Sequence, residues 1–305
     1  MKTVVIAGAG QIGSAAADLL DANRIKLLAF ADNDNSKWTG SLNGHTDSGR
    51  QADISRSDIK TYSCAVPVMS FEKAVGLSPD IFLIGVLDQE RNAELSDQIK
   101  GYGFTGRIML MKELHDMFDI RTAELKKICR RLEAAGVPGA AAELGVYKGD
   151  LAWQIEALMP ERKLFLFDTF AGFDAADTAV ESEMNYSAAE PDDFSDTALS
   201  CVYERLRPDS NAEIRKGRFP ETAAGLENES FAFVSLDADL YAPTLAGLDF
   251  FYPRLNAGGI ILLHDYGSSR FAGVKKAVED YEQRNKKLCL LPLADMHSSC
   301  VIIHP

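Results

Sequence analysis

Short apolar runs alternate along this chain with stretches whose apolar residues recur every three or four positions. The runs read as buried strands and the stretches as amphipathic helices. In the first half, strands are predicted over 3–7, 25–31, 80–85 and 107–111, and helices over 11–22, 71–75 and 88–101. Residues 32–60 are rich in Gly, Ser, Asn and Asp and read mostly as loop, with a short extension at 66–68. A charged amphipathic helix over 119–135 stops at Gly136-Val137-Pro138-Gly139 and serves as a connector. The pattern then restarts. Strands are predicted over 140–144, 163–167, 231–236, 259–263, 288–292 and 299–303, and helices over 150–158, 195–206, 243–252 and 272–283. The last of these helices sets Val274, Ala277, Val278 and Tyr281 on one face, the mark of a sheet-covering helix. Alternating strands and helices imply parallel sheets covered on both faces. The expected fold is α/β, with two successive Rossmann-like doubly wound domains: 1–115, a connecting segment 116–138, and 139–305.

Composition narrows the function classes. The chain has 305 residues, 46% hydrophobic and 25% charged, the balance of a soluble globular protein. Lys plus Arg is 32 against 45 Asp plus Glu, so the net charge is −13. That excess of acid argues against nucleic acid or an anionic membrane as partner. No apolar run approaches the roughly 20 residues that span a bilayer, and the N-terminus reads as a first strand, not a signal peptide. Cys64, Cys129, Cys201, Cys289 and Cys300 are scattered and form no C-x-x-C pair. A reduced, cytoplasmic protein without structural zinc is expected. Its partner would be a small molecule or glycan, and homo-oligomerisation is left open.

Gly8-Ala9-Gly10-Gln11-Ile12-Gly13 follows a strand and opens a helix, and Asp32 ends the next strand, 19 residues beyond Gly13. This is the dinucleotide fingerprint in its expected context. Glycines admit a pyrophosphate to the backbone, and the acid can bond a ribose hydroxyl. Gly8, Gly10, Gly13 and Asp32 are therefore nucleotide-binding candidates. The segment also resembles the N-terminal nucleotide-binding domains of sugar-modifying bacterial enzymes, through IAGAGQIG, LLAFADND, Val66-Pro67-Val68 and DIFLIG. That likeness implies a nucleotide or nucleotide sugar, or an empty packing domain. A nicotinamide-dependent oxidoreductase is the alternative reading, though no Tyr-x-x-x-Lys pair supplies a hydride-transfer site. A non-catalytic nucleotide-binding protein is another.

The second half carries more chemistry. Strand 140–144 contains Glu143 and turns through Gly145-Val146-Tyr147-Lys148-Gly149 into a helix. The next strand ends in Asp168, placed for a ribose diol and followed by Thr169-Phe170-Ala171-Gly172-Phe173. The pair resembles the cofactor half of S-adenosylmethionine-dependent methyltransferases. Three further blocks narrow the likeness: Lys216-Gly217-Arg218-Phe219-Pro220-Glu221-Thr222; Phe233-Val234-Ser235-Leu236-Asp237-Ala238-Asp239-Leu240-Tyr241; and 250–266, ending in His264-Asp265-Tyr266. Together they resemble the macrocin O-methyltransferase family over about 139–283. The resemblance implies a class I methyltransferase fold, S-adenosylmethionine as cofactor, and methylation of sugar hydroxyls on macrolides and related glycosylated metabolites. The cofactor-binding candidates are Glu143, Gly145, Tyr147, Gly149, Asp168, Thr169, Phe170, Gly217 and Asp237.

Asp237 and Asp239 follow a buried strand, two apart, and in extended chain would point the same way. Asp265 follows the next strand. If those strands are parallel neighbours, the acids meet at the carboxyl edge, where ligands bind in open α/β sheets. Clustered carboxylates repel unless a cation or proton sits among them, and hard oxygen donors suit Mg²⁺. The resemblance implies Asp237 and Asp265 as metal ligands and Asp239 as the base. One departure stands out: the family usually has two adjacent acids where this chain has His264-Asp265. His264 is a candidate ligand, a second base, or a residue that merely bonds a neighbour, and imidazole suits Mn²⁺, Fe²⁺ or Zn²⁺ better than Mg²⁺. Residues 174–196 hold eight acids and no Lys or Arg, and read as a solvated loop or a lid over the acceptor. Tyr147 and Phe170 either flank the cofactor or belong to the core. His297 and His304 read as packing or surface residues, and His45 and His115 carry no motif.

Overall fold

The computed structural model describes residues 1–39 and 66–305; the rest of the polar stretch, 40–65, with His45 and Cys64, lies outside the described residues. The chain divides into two compact units, 1–119 and 120–305.

In the first unit, strands β1 (Lys2–Ala7), β2 (Ile25–Ala31), β3 (Val68–Met69), β4 (Ile81–Ile84) and β5 (Arg107–Leu110) form one sheet in the order β3-β2-β1-β4-β5. Every pairing is parallel. Helices α1 (Gln11–Asp18), α2 (Phe71–Gly76) and α3 (Gln89–Gly101) connect the strands, and α4 (Met111–Met117) follows β5. Apolar residues such as Val5, Ala29, Phe82 and Ile99 form its core. Helix α1 is shorter than the predicted 11–22. The Asp21 carboxylate accepts the Asn23 N–H, and its carbonyl accepts from Arg24 and Ile25, a turn that competes with further helix.

The second unit opens with α5 (Ile120–Ala134), the expected connector. Its Leu125, Ile128, Cys129 and Leu132 are buried in this unit's core, so the division falls ahead of it rather than behind. Then follow β6 (Ala140–Leu144), α6 (Ala152–Leu158), β7 (Leu164–Asp168), α7 (Ala175–Met184), α8 (Leu199–Arg205), β8 (Ala212–Lys216), β9 (Phe231–Leu236), α9 (Tyr241–Phe251), β10 (Leu255–Leu263), α10 (Ala272–Arg284), β11 (Cys289–Pro292) and β12 (Cys300–Ile303). The sheet order is β11-β12-β10-β9-β6-β7-β8, with β12 antiparallel to both its neighbours. This is the class I methyltransferase arrangement, in which the order reverses between β6 and β9. The central strands here are buried on both faces. On β7, Phe165 and Phe167 pack into one core layer while Leu164 and Leu166 pack into the other. The expected face of α10 is buried as a set.

The carboxyl edge of this sheet is held in register by backbone bonds beyond the strands. Gly217 donates to Asp168, Gly145 to Phe167, Asp237 to Leu144 and His264 to Leu236, all within 2.8–2.9 Å. Residues that follow adjacent strands are thereby aligned in one row, and the candidate side chains come from that row. Among the described residues, Cys129, Cys201, Cys289 and Cys300 form no disulfide.

Candidate active site

Asp237, Asp239, His264 and Asp265 each offer a ligand atom within 4.8 Å of the others. They arrive there because β9 and β10 are parallel neighbours in register, Leu236 opposite Leu263. Alternation in extended chain is not the cause. Asp239 and Asp265 both adopt left-handed backbone, with φ of 58° and 54°. Strain of that kind is tolerated where the surroundings impose it, often at functional sites. Asp239 does not cap α9, whose N-cap is Leu240 with no side-chain bond.

The cluster carries its own cations. His264 Nδ1 lies 2.9 Å from both Asp237 Oδ1 and Asp265 Oδ2. Arg121 Nη1 lies 2.8 Å from Asp237 Oδ2, and Nη2 reaches Ser235 Oγ at 3.2 Å. Burial alone would raise the Asp237 pKa, but Arg121 and His264 outweigh it and hold that carboxyl well below the usual range. Burial works against charge on His264 too, yet Asp237 and the hydrogen bonds push its pKa up to about 10. Asp239 moves the other way: burial, with Asp237 and Asp265 close by, raises its pKa well above the usual value.

Arg121 was invisible to motif reasoning, since it lies in the first turn of a helix 116 residues from its partner. Because native Asp237 titrates lower than an unfolded aspartate, the pair stabilises the fold at neutral pH. That stabilisation is lost as pH falls through the native value. Arg121→Met is expected to lower the unfolding free energy by about 2 kcal/mol at neutral pH, with the gap to wild type closing in acid. Denaturant melts at several pH values check this.

Glu143 stands in register with Ser235 on the neighbouring strand and is only 2% exposed. Its Oε2 is buried without a hydrogen-bond partner. Burial, reinforced by Asp237, Asp168 and Asp150, raises its pKa well above normal despite Arg121. Asp168, by contrast, is well satisfied. Its Oδ2 accepts from Val146 and Tyr147 N–H at 2.8 and 2.9 Å, and its Oδ1 from Phe170 N–H at 2.6 Å. It therefore organises the glycine turn directly. Thr169 bonds within its own loop, to Gly172, and Phe170 is buried in the core. Tyr147 donates to Asp196 and packs edge-on against Phe194. The close approach at Gly145 comes from the protein itself: a Cβ there would lie 1.8 Å from the Asp237 carbonyl oxygen. Gly149 faces Val202, and Gly217 faces Thr222.

In the first unit the glycine loop is built as expected. Gly8 has φ of 101°, and a Cβ on Gly13 would strike the Gly8 carbonyl, whereas Gly10 borders open space. Asp32 accepts from Ala9 N–H at 2.8 Å and Asp34 N–H at 2.9 Å, and pairs with Lys37 at 3.3 Å.

Residues 174–196, expected as loop, include helix α7, capped by Asp174 through Ala176 N–H. Arg218 ties this helix down through Asp177, and the fully buried Glu181 accepts from Ser187 Oγ and Tyr241 N–H, both at 2.6 Å. Between 185–193 and 269–271 lies a cavity of about 410 Å³, lined in part by Tyr186, Ser187, Asp193, Arg270 and Phe271. One wall is anchored to the cluster through Ser268 N–H on the Asp265 carbonyl. His297 stacks on His264, ring centroids 5.0 Å apart and tilted by 32°, whereas His304 packs on Tyr252.

The profile of the macrocin-O-methyltransferase (TylF) family matches residues 115–304. The chain belongs to that family. It is an enzyme, an O-methyltransferase, as its curated relatives are by name. One is the 8-demethyl-8-(2,3-dimethoxy-alpha-L-rhamnosyl)-tetracenomycin-C 4'-O-methyltransferase of Streptomyces olivaceus, 27% identical over 56% of this chain and 68% of its own length. Another is the mycinamicin III 3''-O-methyltransferase of Micromonospora griseorubida, 26% identical over 49% of this chain and 63% of its own length. Among solved structures, the calicheamicin methyltransferase CalS11 shares the fold with a TM-score of 0.51 at 18% identity, covering 85% of this chain and 99% of that one. Among the described residues, no helix is long and apolar enough to cross a membrane.

Proposed function

We propose that this enzyme methylates a hydroxyl of a sugar carried on a small molecule, with S-adenosylmethionine as donor and a divalent cation at the acidic cluster. The observation that carries the reading is the convergence of Asp237, Asp239, His264 and Asp265 at the carboxyl edge of β9 and β10, beside buried Glu143, whose Oε2 has no hydrogen-bond partner. The relatives' sugar acceptors support the substrate class.

Glu143 fits the cofactor. A buried carboxylate oxygen without a donor is costly, and an ammonium such as that of a methionine moiety would satisfy it. S-adenosylmethionine, when bound, supplies a methyl carbon activated by its sulfonium. The Gly145–Gly149 turn, held by Asp168, would border its methionine and ribose portions, with Tyr147, Thr169 and Gly217 around that edge. Phe170 supports the turn from the core. Asp237, Asp265 and His264 would hold the divalent cation, which lowers the pKa of a coordinated hydroxyl. Asp239 takes the hydroxyl proton; a raised carboxyl pKa matches it better to that task than an ordinary aspartate. The cavity walled by Tyr186, Arg270 and Phe271 receives the sugar. In the first unit, the open space at Gly10 supports a nucleotide or nucleotide sugar on the glycine loop. Asp32 is already bonded to the loop and to Lys37, which leaves it little capacity for a ribose.

Calorimetric titration with S-adenosylhomocysteine tests the donor site. Glu143→Gln is expected to weaken binding about tenfold, the worth of one charge-assisted hydrogen bond. In wild type, affinity falls as pH is lowered, because the ammonium must meet an ionised Glu143 whose pKa is raised. The variant loses that dependence. Mass spectrometry of glycosides incubated with S-adenosylmethionine tests the acceptor class. Tight NAD⁺ binding with none of S-adenosylhomocysteine would overturn the reading.

A further inference from the structure

The cluster contains a nitrogen donor, and the structure backs that nitrogen with a second imidazole. His264 Nδ1 is equidistant, at 2.9 Å, from Asp237 Oδ1 and Asp265 Oδ2. Nδ1 is hydrogen-bonded to these carboxylates, and a cation would take the place of that proton, since the three side chains each offer a ligand atom within 4.8 Å of the others. The ring that presents this nitrogen is fixed from its face by His297 at 5.0 Å. His297 is itself held by a tight loop between β11 and β12. Buried Asp295 accepts the Ser299 N–H at 2.7 Å, Gly267 donates to the Ser298 carbonyl at 3.0 Å, and Ser298 has left-handed backbone with φ of 56°. Gly267 directly follows the Asp265-Tyr266 turn, so the loop that carries His297 is tied to the segment that carries two cluster residues.

We propose that His264 makes this cluster a nitrogen-bearing site for a first-row transition ion in preference to Mg²⁺, and that His297 is the positioning residue that holds the His264 ring. The proposal rests on the divalent-cation reading above. Carboxylates alone serve Mg²⁺, whereas imidazole favours transition ions, and groups that orient a ligand alter metal affinity about 10–100-fold.

The test uses the full chain stripped of metal, titrated with Mn²⁺ and with Mg²⁺ and examined by pulsed electron paramagnetic resonance of bound Mn²⁺. Wild type is expected to show ¹⁴N coupling from an imidazole. In His264→Asp the coupling disappears and the Mn²⁺-to-Mg²⁺ affinity ratio falls at least tenfold. His297→Ala is expected to weaken Mn²⁺ about tenfold with coupling retained, and His297→Phe, which restores a ring face, to recover most of that loss. A His297→Phe variant as weak as the alanine one overturns the positioning role. Tight Mg²⁺ binding with no ¹⁴N coupling in wild type overturns the nitrogen site while leaving a cation site standing. No binding of either ion overturns the cation reading itself. Circular dichroism of each variant separates these results from misfolding.

Discussion

Asp239→Asn is expected to cut the rate of methyl transfer about a thousandfold while leaving affinity for S-adenosylhomocysteine within about threefold. Asn keeps the shape of the side chain and removes only its capacity to take a proton. It also tolerates the left-handed backbone at this position, φ of 58°, as few residues other than glycine do. Loss of folding is therefore not the expected route of failure. Asp237 and Asp265 stand close enough to raise the Asp239 pKa, and they remain in place to hold the proposed cation. Single-turnover transfer, with calorimetry alongside, separates the chemical step from binding. A variant that turns over within tenfold of wild type would remove Asp239 from the proton-transfer role, since a positioned base contributes at least about a hundredfold. His264 would then be the next base to test.

Most of the fold was legible because the strands are buried on both faces, so their residues read as uninterrupted apolar runs. Of the three elements that were missed, α4 is a seven-residue helix directly after β5, and the other two fail that condition for different reasons. Strand β8, Ala212–Lys216, lies at the sheet edge with charged residues and no fully buried position. Helix α7 buries Asp177, Thr178 and Glu181, so its inward face has no apolar period. Those acids are held by Arg218, Ser187 and the Tyr241 N–H, contacts that exist only once the chain is folded. An acidic stretch thus read as solvated when part of it is the inner face of a pinned helix.

The site was legible where side chains follow strand ends, since chain order and parallel pairing together predict which ones meet. That argument reached Asp237, Asp239, His264 and Asp265. It did not reach Arg121 or His297, which come from a helix and a loop and carry no motif. The sequence points Gly145 towards a ligand and Asp168 towards a ligand or a turn, and the structure adds contacts of both with the protein's own backbone. Asp32 in the first unit repeats the pattern, bonding Ala9 N–H much as Asp168 bonds Val146 and Tyr147. In both units, the acid ending the second strand first shapes the glycine turn.

Gly145→Ala is expected to damage the second unit far more than Gly149→Ala, although both glycines have left-handed backbone, φ of 90° and 82°. The conformational cost of about 1–2 kcal/mol is common to the two. They differ in what a methyl group would meet. At Gly149 the nearest atom is Val202 Cα at 3.4 Å, an ordinary contact. At Gly145 it is the Asp237 carbonyl oxygen at 1.8 Å, with the carbonyl carbon at 2.7 Å. That oxygen is backbone and cannot rotate aside. Relief requires β6 and β9 to part where Asp237 N–H bonds the Leu144 carbonyl, the junction at which the sheet order reverses. A loss of about 4 kcal/mol or more follows, which for a unit of this size lowers the melting temperature by roughly 8–16 °C. Gly149→Ala should lose roughly a third of that. Because the displaced oxygen belongs to Asp237, Gly145→Ala should also lose the proposed cation binding and acceptor turnover at temperatures where it remains folded. Paired thermal melts decide the matter: equal losses in the two variants would mean that backbone conformation alone, not the contact between strands, makes glycine necessary at the turn.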